Sequence, residues 1–429
     1  MGKGFYPILL IAIALIICSS NINWGGNHWR GIIGSDGKGY YAYLPAVFIY
    51  HDLNLNFFEA IEKEYSIKET FYDYRTNDEA GHVYDKYFCG TSILISPFFM
   101  LAHLLTILTG NQVDGYSLLY SIFVNIAALS YLTLALVYLK RLLDFYTDRQ
   151  NLISFVLLSF TFGTNIFYYA VSEPSMSHIY SFFCITALLY NFKCLSLKYQ
   201  AKQLYLCSFL LGLIVLIRPV NGIVVFIFPF FFQSRGHLLA FFHECFSHWK
   251  RVILSGMIFF ALTSVQLILF KIETGRFIID SYSHEHFNWT RPELLNILFS
   301  YKKGLFVYTP MILLSFTGLY FLPGHNGFQT IVFLLFFILL SYVLSSWWCW
   351  YYGGSFGLRA YVEYYSLFAI LLTVSLDAIK NEPVKKMFIT LICFAIFLNL
   401  FQTYQYRYYL IHWSDMTKEK YWNVFLRIP

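Results

Sequence analysis

The stretch "SILISPFFMLAHLLTILT" (residues 92–109) decides how this chain is threaded. It is apolar throughout, yet it is short for a bilayer span, which takes about 20 apolar residues, and it contains Pro97 and His103. Eleven other apolar runs are long enough to cross, or nearly so, at about 5–20, 117–139, 151–170, 176–192, 203–217, 219–232, 252–270, 304–322, 328–346, 362–379 and 386–402. Suppose the N-terminus is cytoplasmic and 92–109 lies along the interface. Then "KRLLDFYTDRQ" (140–150), "KCLSLKYQAK" (193–202), "SRGHLLAFFHECFSHWKR" (234–251) and "KNEPVKK" (380–386) all fall on the cytoplasmic side. If 92–109 crosses instead, all four basic segments move outside, against the positive-inside bias. A second threading, with the N-terminus outside and both 5–20 and 92–109 crossing, puts 21–91 in the cytoplasm. The charges of that loop argue against it only weakly. The first threading is adopted here.

Composition supports the membrane reading. Of 429 residues, 58% are hydrophobic and 13% charged, whereas soluble domains carry about a quarter charged residues. Mean hydropathy is +0.55. The sequence predicts an all-α polytopic membrane protein with about eleven transmembrane helices. Residues 1–402 would form the membrane domain, 21–116 its long first outer loop with interfacial helices, and 403–429 a short outer tail. The first apolar run lacks a small-x-small cleavage site and is read as a retained helix. "LNFFEAIEKEYSIKETF" (55–71) reads as a short amphipathic surface helix. The basic residues are scattered, so the net charge of +6 does not point to nucleic acid. Eight cysteines stand singly with no metal-ligand spacing and read as small hydrophobes. No repeats or soluble domains are visible.

In this threading the outer face carries nearly all the residues able to do chemistry. Asp36 in "GSDGKGYYAYLP" (34–45) is either a general base or metal-holding carboxylate, or a helix N-cap. The flanking glycines would let this segment bend over a cavity, with Tyr40, Tyr41 and Tyr43 anchoring it at headgroup depth. Glu173 and His178 in "SEPSMSH" (172–178) are candidates for a polar cavity lining, as are Tyr40, His284 and Glu285. The spacing of His284 and His286 does not put both on one helix face, so zinc is not implied. Lys86, Arg218, Lys302, Lys303 and Arg359 sit at interface depth. Each either binds phosphate oxygens or snorkels to a headgroup; five together favour a phosphate site.

Taken in order, several features resemble the membrane-embedded C-superfamily of glycosyltransferases, which includes protein O-mannosyltransferases and aminoarabinose transferases. They are the early acid Asp36, "KYFCGTSILISPFF" (86–99), "SEPSMSH", "LIRPVNG" (216–222) and "YYGGSFGLRAY" (351–361). The resemblance implies transfer of a sugar, with inversion, from a polyprenyl-phosphate donor to a lipid, glycan or protein acceptor. The reaction would take place on the outer face of a bacterial inner membrane. It also implies Asp36 and Glu173 as the catalytic acids, and Lys86 and Arg359 at the donor phosphate. Asp36 is followed by glycine rather than a second acid, so the only metal ligand it suggests is Asp36 itself, for a divalent ion. Rival readings are a lipid or glycan flippase, which would want repeats and charges at mid-membrane, and a membrane O-acyltransferase, which would use a His within the bilayer.

Overall fold

A computed structural model describes residues 5–65, 72–282, 285–322 and 327–428. The first apolar run forms α1 (Tyr6–Asn23), with Pro7 in its first turn, where a missing N–H leaves no bond unmade. The first loop then folds into a 3-10 turn (His28–Gly31), α2 (Gly37–Pro45) continued by a π turn (Ala46–Tyr50), and α3 (Phe58–Tyr65). An antiparallel hairpin follows, β1 (Arg75–Asn77) with β2 (Val83–Asp85), Thr76 opposite Tyr84. α4 (Gly90–Leu108) closes the loop.

The bundle continues with α5 (Leu118–Leu143), α6 (Gln150–Phe162), α7 (Ile166–Val171), α8 (His178–Leu197) and α9 (Ala201–Ile217). A 3-10 segment (Pro219–Phe231) bends by 115° into α10 (Arg235–Ser247), and α11 (Trp249–Thr274) follows. The last third holds α12 (Leu294–Phe299), α13 (Leu305–Tyr308), α14 (Pro310–Ser315), α15 (Gly327–Ser345), α16 (Tyr365–Ala378), α17 (Glu382–Arg407) and α18 (Lys418–Val424).

Among the described residues, seven helices are long and apolar enough to cross a membrane: α1, α4, α5, α8, α11, α15 and α17. The bent pair makes an eighth if it counts as one span. Some of the eleven apolar runs are therefore broken. The 304–322 run divides at Thr309, because Pro310 disfavours helical backbone in the residue before it. The hinge at "RPVNG" has the same origin: Arg218 is extended before Pro219. The 362–379 run opens as a 3-10 turn, Arg359–Tyr364, before α16.

Burial sorts the helices by role. The most apolar stretch of α8 is 72% buried and that of α11 only 11%, so α8 is the bundle's centre and α11 its outer wall. The 92–109 stretch, now α4, has both ends tied to the face where α1 ends. Tyr65 stacks edge-on with Trp29, just beyond α1, and hydrogen-bonds Asp114, just beyond α4. At the other end, Ser92 donates to the Tyr40 carbonyl of α2 at 2.6 Å. The tail docks back onto the bundle. Tyr421 of α18 packs against Tyr301 and Tyr308 and accepts a hydrogen bond from Gln402 of α17 at 2.8 Å.

Two expectations for the segment after Asp36 are overturned. Tyr40, Tyr41 and Tyr43 are buried in the protein rather than turned toward lipid headgroups. Gly37 is not a flexible joint either. It lies within α2, and a side chain there would overlap Ser175, so glycine is required for close approach.

Candidate active site

Asp36 occupies the N-cap position of α2, but its side chain makes no capping bond. Ser35 before it has a left-handed backbone (φ 49°), uncommon outside glycine and asparagine, and Lys38 N–H bonds back to the Ser35 carbonyl at 3.0 Å. The carboxylate instead meets Arg359, whose Nη2 donates to Asp36 Oδ2 at 2.7 Å. The capping alternative is thus set aside by geometry.

Arg359 is delivered by the loop between α15 and α16. Asn165 and the Tyr169 hydroxyl each donate to the Phe356 carbonyl at 3.1 Å, and Tyr365 donates to Asn165 Oδ1 at 2.7 Å. Gly357 turns this loop at φ +59°, pressed against Tyr308 and Asn165, where a side chain would be strained. Lys303 braces the same loop by donating to the Ser355 carbonyl, and it lies over the Tyr406 ring at 5.4 Å.

The close approach of Gly37 to Ser175 brings the 172–178 segment against Asp36. Glu173 Oε1 accepts from the Tyr168 hydroxyl at 2.9 Å, while Oε2 is enclosed and has no hydrogen-bond partner. Arg359 acts on both acids and Lys303 on Glu173. Burial raises the Asp36 carboxyl, but Arg359, a hydrogen bond from Tyr87 and the Lys86 ammonium outweigh it, leaving it below the ordinary carboxylate range. Burial pushes Glu173 up to about 6 against the pull of Arg359 and Tyr168. Burial likewise pushes Lys303 down to about 7, although Glu173 favours its charge. One acid is held ionised by a guanidinium, and the other is left with a free oxygen and a proton affinity near neutrality.

Beside this cluster, Arg218 donates to Glu363 Oε1 at 3.0 Å, and His178 Nδ1 lies 3.1 Å from the same oxygen. Lys86 pairs with Glu285 at 3.1 Å, and Trp348 Nε1 donates to the other Glu285 oxygen at 3.2 Å. Lys302 stands apart over the Tyr351 ring at 3.5 Å. Arg218, Lys303 and Arg359 are largely enclosed and partnered, so snorkelling does not describe them. Tyr40 is buried and within the electrostatic reach of both Arg218 and Asp36. His284 lies outside the described residues. Glu363 was missed by sequence reasoning; an acid within an apolar run, four residues after Arg359, was the available signal.

The donor set for a metal at Asp36 does not fit. Its carboxylate faces a guanidinium, Glu173 is bonded to a tyrosine, and no group of three His, Cys, Asp or Glu assembles among the described residues.

No protein-family model matches the sequence, and no curated protein matches it. Solved structures do. The crystal structure of ArnT from Cupriavidus metallidurans bound to undecaprenyl phosphate matches at TM-score 0.52 and 14% identity, over 91% of this chain and 63% of that one. The archaeal oligosaccharyltransferase AglB from Archaeoglobus fulgidus, in complex with an inhibitory peptide and a dolichol-phosphate, matches at TM-score 0.51 and 12% identity, over 99% of this chain and 57% of that one. The chain thus shares the fold of these two proteins and spans about three fifths of their length.

Proposed function

We propose that this chain is a membrane glycosyltransferase that moves a sugar from a polyprenyl-phosphate donor to an acceptor hydroxyl on the outer face of a bacterial inner membrane. The observation carrying this reading is the Asp36–Arg359 pair beside Glu173, with its enclosed, unpartnered oxygen. The acceptor oxygen bonds to the anomeric carbon as the bond from that carbon to the phosphate oxygen breaks. The phosphate leaves with the electron pair and is met by Arg359, Lys303 and Arg218, charges fixed before the reaction begins. The acceptor proton goes to Glu173 Oε2, which gains the partner it lacks.

Glu173 suits the base role better than Asp36, whose ionised form is already stabilised by Arg359 and so has little affinity for a proton. Asp36 instead orients the guanidinium. Attack from the face opposite the phosphate inverts the anomeric centre. The orientation follows the basic short loops, with α4 lying along the outer interface, consistent with both its ends being tied to the face where α1 ends. The ArnT and AglB structures hold polyprenyl-type phosphates, which supports this donor class; the acceptor is a lipid, a glycan or a protein.

The test is binding of undecaprenyl phosphate to the full chain in nanodiscs. Arg359→Ala should weaken it by roughly 30- to 150-fold, the worth of a charge-assisted contact of about 2–3 kcal/mol. Equal binding by a folded Arg359→Ala protein would remove the phosphate role.

A further inference from the structure

The end of the bundle away from Arg218 carries a helix that the transfer site does not use. α9 and the 3-10 segment Pro219–Phe231 are the two limbs of a hairpin with Arg218 at its tip. With 17 residues in α9 and 13 in the 3-10 segment, at rises of about 1.5 and 2 Å, each limb is about 26 Å long, close to the depth of a bilayer core. Tyr199, just before α9, stacks on His248, just after α10, with ring centroids 4.9 Å apart, so both limbs return to one level. The 115° bend then lays α10 across that level rather than along the bundle. α10 is apolar on two adjacent faces. Leu238 and Phe241 lean on the bundle, Phe241 against the rings of Phe192 and Phe232. Leu239, Phe242 and Phe246, spaced three and four apart, form an outward stripe, Phe246 at 78% exposure. Trp249, next along, opens the exposed wall of α11, with Ile253, Met257 and Phe260 on one face. The side of α10 opposite the stripe is polar, with His237, Glu244 and Ser247.

Cations gather at the same level. Arg235, Lys250 and Arg251 flank α10, and Lys198 and Lys202 lie beside Tyr199, which the ring stack joins to it. All five are exposed, and none makes a salt bridge among the described residues. Glu244 is the only acid in 193–202 and 234–251, and it lies 3.4 Å from His248. The Lys250 ammonium sits over the Trp249 ring at 5.8 Å, an indole and a cation together, as at a membrane interface. A helix laid across the membrane surface this way sinks its aromatic stripe to the acyl boundary and offers its cations to phosphates. An acidic protein would meet the cations but not the stripe, which adjoins the lipid-facing wall of α11. We propose that α10, with the 198–202 segment, is an in-plane docking surface for anionic phospholipid headgroups, on the membrane face opposite Asp36 and Arg359. The surface is independent of the transfer reading, since it needs neither donor nor acceptor.

The experiment uses the full chain, delipidated in neutral detergent and titrated with phosphatidylglycerol or phosphatidylcholine, with bound lipid counted by native mass spectrometry. Phosphatidylglycerol should bind about 10-fold more tightly, and the preference should fade in about 0.5 M salt, where the screening length is about 4 Å. Lys198→Gln, Lys202→Gln, Lys250→Gln and Arg251→Gln together should cut the preference to about 2-fold. Tm in phosphatidylcholine should not move, because all four positions are exposed. Lys380→Gln with Lys386→Gln, exposed cations beside the start of α17, should leave the preference intact. In nanodiscs of acyl-brominated lipid, Phe246→Trp should add tryptophan emission that the bromines quench. Equal binding of the two lipids by the wild type would overturn the surface, as would an equal loss in the Lys380 and Lys386 variant. Added emission that stays unquenched would also overturn it, and a dimer seen by light scattering would then assign the stripe to a second copy of the chain.

Discussion

Two acid clusters flank Tyr87 and meet burial differently. Toward α16, Asp36 has a guanidinium at 2.7 Å and the Tyr87 hydroxyl. Toward α11, Asp85 has the Tyr87 backbone N–H, and Glu273 has the Tyr43 hydroxyl, with no ion pair to either acid among the described residues. The first cluster carries its countercharge in the chain; in the second, burial favours the neutral, protonated form of Asp85. A buried acid with a built-in cation holds its charge at any ionic composition. A buried acid without one makes the fold responsive to pH, because stability is lost as rising pH strips its proton.

The sharpest way to break this contrast is to strip the built-in cation. Arg359→Met leaves Asp36 enclosed and unpaired and should cost about 3 to 5 kcal/mol of stability by denaturant unfolding. Adding Asp36→Asn should recover most of it, and no loss in the single variant would place Asp36 among solvated acids. Next in size is Glu173→Gln, which keeps shape but cannot accept the acceptor's proton. Sugar transfer from a polyprenyl-phosphate donor should fall about 10²-fold or more at unchanged Tm. Asp36→Asn alone should fall by less, about 10-fold, because it disturbs only the orientation of Arg359; a larger fall than for Glu173→Gln would exchange the two roles.

The pH profile gives a finer reading. Glu173, pushed up to about 6, must lose its proton to act, so kcat/KM should rise as pH climbs through that value. Lys303, pushed down to about 7, must keep its proton to meet phosphate, so kcat/KM should decline above it. The profile should be a narrow bell, and Glu173→Gln should erase only its acid limb. The smallest effect belongs to Lys302→Ala. Its ammonium lies over an aromatic ring rather than on either acid, worth about 0.5–1 kcal/mol, and donor binding should change by less than about 5-fold.

What the sequence could disclose follows from the range of each interaction. The helices α1, α5, α8, α11, α15 and α17 coincide with long apolar runs because lipid contact, or for α8 the apolar interior of the bundle, imposes its signal residue by residue. Where proline changes the backbone, as at Pro310, hydropathy alone overran the break. Asp36, Glu173 and Arg359 stood out singly as charges beside apolar segments. The Asp36–Arg359 pairing spans 323 residues and has no local signature. Glu363 and Glu273 were passed over for the opposite reason: each lies in or at the end of a helical run where its neighbours dominate the average. The capping reading of Asp36 was reasonable locally and lost to a partner from the far end of the chain.

The docking of α18 makes the last helix a clasp. Tyr421 presses on Tyr301, immediately before the two lysines, and on Tyr308, which abuts the Gly357 turn that carries Arg359. Shortening the chain after Arg407 would unfasten both ends of that arrangement at once, although among the described residues none beyond 407 hydrogen-bonds or pairs with Asp36 or Glu173. A truncation series should therefore behave like a latch being opened, with phosphate binding fading before the bundle itself comes apart.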